Sequence, residues 1–80
     1  MDQFEYQLKV LIRYVQERLY PGAFVMYQPD FITVSYFDVD GGLHVIADVK
    51  QTGDTLYTFS QLYAQINEKL RLRRELGHEM

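Results

Sequence analysis

The sequence predicts an α+β fold: a helix, a three-stranded antiparallel meander and a second helix, in one small domain spanning residues 1–80. Three observations carry this. Apolar residues recur at helical spacing near the N-terminus, the period drops to 2 between Phe31 and Phe59 around an Asp40-Gly41 turn signal, and helical spacing returns after that.

The first helix is predicted over residues 4–19. Phe4, Leu8, Leu11, Ile12, Val15 and Leu19 fall within one stripe about 100° wide. Asp2 is placed to cap it, Glu5 to reach back to the free amides, and Tyr20-Pro21-Gly22 to end it, because proline cannot continue the ladder. A second row, Tyr6, Val10 and Tyr14, lies nearly opposite the stripe, so this helix has two faces to cover.

Asp40-Gly41 between β-rich runs predicts a hairpin, since both positions of a two-residue loop need φ > 0. With that loop, Ile32 opposes Val49, Val34 opposes Ala47, Tyr36 opposes Val45 and Asp38 opposes Leu43 on a core face. The other face then pairs Phe31 with Lys50, Thr33 with Asp48, Ser35 with Ile46, and Phe37 with His44. A second turn at Gln51-Thr52-Gly53-Asp54 is expected to return the chain into a strand over Thr55–Phe59. Ala23–Gln28 offers a fourth, edge strand, because Pro29 is confined to an edge or a bend. The last helix is expected from Thr58 or Ser60, with Gln61 in capping-box position to Thr58. Leu62, Tyr63, Ile66 and Leu70 form its stripe, and Gly77 is its stop.

In element order alone, helix, three-stranded meander and helix, the chain resembles the double-stranded RNA-binding domain. That resemblance implies RNA contact through a lysine-rich start of the second helix, and the matching stretch Phe59-Ser60-Gln61-Leu62-Tyr63-Ala64-Gln65 holds no base. Charge points the same way. The formal net charge is -3, and residues 21–60 set Asp30, Asp38, Asp40, Asp48 and Asp54 against Lys50 alone. The one basic feature is the tail of the last helix, Lys69, Arg71, Arg73 and Arg74. It is an alternative nucleic-acid patch or, more simply, a solvated helix end: replacing Arg71, Arg73 and Arg74 is expected to leave the fold intact, with Arg71 and Arg74 projecting away from the stripe and the Arg73 stem lying along the core edge, its guanidinium in water.

Catalysis and metal binding find no support in the motifs. Asp38-Val39-Asp40-Gly41-Gly42 opens like a calcium loop, but the twelfth position is Val49 rather than a bidentate glutamate. His44 and Asp48 stand too far apart along a strand for a direct bond. His78 lies past the expected stop, and no phosphate-cradling glycine loop is present. No cofactor is expected.

What remains is the second sheet face, where Phe31, Phe37, His44, Ile46 and Tyr57 are expected to bind a partner, with Phe59 beside them. The chain has 48% hydrophobic and 15% aromatic residues, more apolar surface than one small core buries. The expected function is therefore a non-enzymatic interaction module that docks on a larger protein or pairs with a second copy of itself as a homodimer. Its size suits a phage- or mobile-element-encoded inhibitor or an accessory subunit. No cysteine is present, no apolar run approaches the ~20 residues of a membrane span, and Met1-Asp2-Gln3-Phe4-Glu5 lacks the pattern of a signal peptide, so the cytoplasm is the expected compartment.

Overall fold

The computed structural model describes residues 3–78, with side chains through Glu75. The order is α1 (Gln3–Arg18), β1 (Phe24–Tyr27), β2 (Phe31–Phe37), β3 (Leu43–Lys50) and α2 (Thr55–His78). The strands form one antiparallel sheet in the order β1-β2-β3. The expected architecture of helix, meander and helix is present, but the meander uses different strands. The edge strand offered by Ala23–Gln28 is β1, and the strand expected over Thr55–Phe59 is the first turn and a half of α2.

Asp54 explains the second difference. Its carboxylate accepts the Tyr57 N–H at 3.1 Å, the bond an N-cap makes to the third helical residue. Gly53 just before it has φ +88 and turns the chain into that position. Thr58, expected to start the helix, is already inside it, and its hydroxyl donates back to the Asp54 carbonyl at 2.9 Å. At the other end, α2 runs through Gly77 to His78, so the glycine does not stop it. The expected Asp2 cap lies outside the described residues.

Both helices lie on one face of the sheet and run parallel. Phe4 meets Phe59 edge to face, Tyr14 meets Tyr63 and Asn67, and Leu19 meets Arg73, so partners keep nearly the same order along both chains. Leu11, Val15 and Leu19 from the first helix and its end, Ile32, Val34, Ala47 and Val49 from the sheet, and Phe59, Leu62 and Ile66 from α2 form the buried core. Tyr6 and Val10 stay exposed while Tyr14 packs on α2, so the second row of α1 leaves the far side of the sheet uncovered.

The β2–β3 hairpin departs from the expected register near its tip. Three residues, Val39-Asp40-Gly41, form the loop: the Gly41 N–H donates to the Asp38 carbonyl, the Asp38 N–H donates to the Gly42 carbonyl, and Gly41 has φ +86. Ser35 thereby opposes Val45, Tyr36 opposes His44 and Phe37 opposes Leu43, one residue off the expected pairs. An irregularity between Val34 and Ser35 leaves Ile46 as an extra residue on β3 and restores the expected register, Val34 with Ala47 and Ile32 with Val49.

These observations set two stability expectations, both readable from urea unfolding. Leu62→Ala, at a wholly buried position, should cost ~2–4 kcal/mol through the cavity it opens. Asp54→Ala should cost ~1 kcal/mol by uncapping α2, whereas Ser60→Ala, placed mid-helix, should be nearly neutral.

Candidate functional site

The bulge decides what each side of the sheet presents. It turns Ile46 toward the helices beside Ala47, where it is 4% exposed, and so removes Ile46 from the face on which the sequence placed it. His44 also changes sides, stacking on Tyr36 with ring centroids 5.1 Å apart. Tyr57 sits exposed on α2, and Phe59 is buried in the core. Of the five residues expected to bind a partner, Phe31 and Phe37 lie on the open face; His44, Ile46 and Tyr57 do not.

That face is built instead from three rows. Phe24, Ser35 and Val45 lie in register, Met26, Thr33 and Asp48 form the next row, and Phe37 with Leu43 closes the end near the tip. Phe24 stacks on Phe37 with centroids 5.4 Å apart and planes 21° from parallel. Phe37 remains 61% exposed, Val45 50%, Leu43 49% and Phe31 41%. Thr33 donates to the Asp48 carboxylate across this face at 3.0 Å. Ser35 is fully buried beneath the aromatic row, and its hydroxyl has no hydrogen-bond partner among the described residues. Leu43, Val45, Phe24 and Met26 were missed for two reasons: the expected register pointed Leu43 and Val45 inward, and β1 was offered only as an extra strand.

The opposite side of the hairpin carries a polar cluster that the sequence reading did not assemble. Tyr20 stacks on Tyr36 at 3.8 Å and Tyr36 on His44, while His44 Nε2 donates to Asp38 Oδ2 at 2.6 Å. The other Asp38 oxygen accepts the amides of Asp40 (2.9 Å) and Gly42 (2.8 Å). His44 and these amides hold the Asp38 carboxyl below its ordinary pKa. The groove beside this cluster, about 370 Å³, is also lined by Leu19, Val45, Ile46, Lys69, Leu72 and Arg73. A histidine paired with an aspartate orients a base, but the lining offers no serine or threonine hydroxyl for it to activate.

The basic tail is largely engaged. Arg71 pairs with both Glu68 and Glu75, and the Arg71 hydrogen bond lowers the Glu68 pKa. Arg73 reaches across to donate to the Leu19 carbonyl, with its guanidinium 5.4 Å from the Tyr20 ring centroid. It thus satisfies an orphan carbonyl at the end of α1 and places a cation at the negative end of that helix. The Arg73 guanidinium, expected in water with its stem along the core edge, instead bonds the Leu19 carbonyl.

Among the described residues no group of histidines and carboxylates is arranged to hold a metal, and no helix is long and apolar enough to cross a membrane. Comparison of the chain with protein-family models, curated proteins and solved structures finds no match.

Two measurements check this geometry. Arg73→Gln should lower stability by ~1 kcal/mol in thermal unfolding while Arg74→Gln changes it by less than ~0.5 kcal/mol. Asp38 has a depressed pKa, so the stability it contributes is present above the ordinary carboxylate range and is lost as pH falls through its lowered value. The Asp40 and Gly42 amide resonances should therefore titrate below the ordinary aspartate midpoint, and His44→Gln should move that midpoint upward.

Proposed function

We propose that the chain is a non-enzymatic protein-interaction module that docks on a larger protein through the open face of its sheet. The observation that carries this reading is the Phe24–Phe37 stack, which with Phe31, Leu43 and Val45 stands on a face neither helix covers. A small chain that leaves rigid aromatic groups in water while both helices crowd the other side has the makings of an interface centre, where buried aromatic anchors carry most of the binding energy. The surroundings favour a protein over a nucleic acid. The face sets Asp48 beside Lys50 rather than a basic cluster, and Arg71 and Arg73 are already committed within the molecule. Lack of cysteine suits the cytoplasm. An inhibitor or accessory subunit is a natural role for a module of this size.

The test is capture of the binding partner from the host lysate by immobilised wild type, followed by titration of the purified partner. Phe37→Ser and Leu43→Ser should each weaken that affinity at least tenfold and shift the melting temperature little. Affinity unchanged in both variants would remove the open face from the interface. Ser35→Ala should match or exceed wild type in stability, because it deletes a buried hydroxyl that has no partner among the described residues.

A further inference from the structure

The two edges of the sheet are finished differently. On β3, the outward backbone of Asp48 is occupied: its N–H donates to Gln65 Oε1 at 2.9 Å and its carbonyl accepts from Gln65 Nε2 at 3.1 Å. At that residue a side-chain amide from α2 stands in place of a neighbouring strand; nearer the tip, Leu43 and Val45 turn their backbone outward with no bond among the described residues. Asp48 and Lys50 add charge, a common protection for an exposed edge.

Within β1 itself, no side chain among the described residues bonds the outward backbone. Gln28 and Phe31 exchange two hydrogen bonds, so by the alternation of an antiparallel ladder Met26 and Phe24 turn their backbone groups toward β2. Val25 and Tyr27 turn theirs outward, and among the described residues nothing bonds them. The strand Phe24-Val25-Met26-Tyr27 carries no charge. Its outward groups stop abruptly at both ends. The Ala23 N–H donates to the Tyr20 carbonyl and its carbonyl accepts from Gln16 Nε2 at 3.0 Å, and two residues past Tyr27 stands Pro29, which has no N–H.

We infer that β1 is the pairing edge for a second copy of this chain, the two strands running antiparallel about a two-fold axis at Met26. In this register Val25 faces Tyr27 of the second copy and Tyr27 faces Val25, so four hydrogen bonds use the free groups and no others. An axis at Val25 would demand the Ala23 groups already in use, and an axis at Tyr27 would set Val25 opposite Pro29. Charge fits the same axis. α1 passes β1 in the reverse direction, with Phe4 against Tyr27 (centroids 5.1 Å apart) and Gln16 against Ala23. The axis therefore lies level with the first half of α1, where Lys9 lines the groove beside β1 and Glu5 stands one turn earlier on the same face. Both are exposed and free of ion pairs among the described residues, and the two-fold brings Lys9 of one copy toward Glu5 of the other. The product is a continuous six-stranded sheet whose open face is doubled. The inference stands on the edge alone and is independent of what that face binds.

The chain has no cysteine, so single cysteines report the edge cleanly. Met26 and its counterpart would sit as a non-hydrogen-bonded pair, with Cα atoms about 4.5 Å apart, within disulfide reach. Met26→Cys should oxidise to a covalent dimer at concentrations where wild type sediments as a dimer, and Lys50→Cys on the opposite edge should not. Val25→Pro, which removes an outward N–H and no internal ladder bond, should sediment as a monomer while keeping its circular dichroism spectrum. Wild type at 9.5 kDa up to several hundred micromolar would overturn the inference, as would equal cross-linking at both edges. So would a dimer that survives Val25→Pro and dissociates with Phe37→Ser, which would place the contact on the open face.

Discussion

β3 carries one residue more than β2 within their shared ladder, and the placing of that residue determines which side chains face the helices. A three-residue turn pulls the tip of the hairpin one step out of the register that pairs Ile32 with Val49, and the bulge at Ile46 restores it. Between the two shifts, side chains are exchanged between faces: His44 turns to the helix side and Val45 to the open side, while Ile46 joins Ala47 in the core. A one-residue slip reverses every side chain it covers. Here the slip is confined to the tip, so the base of the hairpin keeps its apolar residues under α1 and α2 while the tip sets Leu43, Val45 and Phe37 in water.

The helices depend on that arrangement. Two parallel helices fit on one side of a three-stranded sheet only if that side is apolar from β1 to β3, and Ile46 with Ala47 extends it to the β3 edge, against which α2 packs. Each helix then secures something beyond the core. Gln65 of α2 closes the outward backbone of Asp48, Gln16 of α1 closes the carbonyl of Ala23, and Arg73 ties the end of α1 to the last turns of α2. Among the described residues, neither helix covers the open face and no hydrogen bond reaches the outward groups of Val25 and Tyr27. The functional reading and the pairing edge both follow from what the two helices do not reach.

Much of this was legible in the residues. The α1 stripe, the stripe of Leu62, Ile66 and Leu70, the hairpin, and the pairing of its base all follow from periodicity, because burial there repeats with the element's own geometry. The rest was hidden for physical reasons. Thr55, Tyr57 and Phe59 alternate like a strand, yet the Asp54 carboxylate caps a helix there, and a cap shows in sequence as one ordinary polar residue. Gly41 has positive φ in the loop observed and would have it in the two-residue loop as well, so the glycine does not distinguish them. The bulge has no composition of its own: Val45 and Ile46 are both apolar and β-branched, and only their packing separates them. The open face was therefore foreseen as a face, with Phe31 and Phe37 on it, and misassigned at His44, Ile46 and Tyr57. The Asp38–His44 pair went unseen because it spans the turn that set the register wrongly.

The central claim is the bulge and the facing it imposes, and Val45→Ser compared with Ile46→Ser in urea unfolding tests it most directly. The account predicts that Ile46→Ser costs at least ~2 kcal/mol, as loss of a buried branched side chain does, while Val45→Ser costs roughly 1 kcal/mol or less on the exposed face. An unbroken hairpin with a two-residue turn would give the reverse order, and that result would contradict the account.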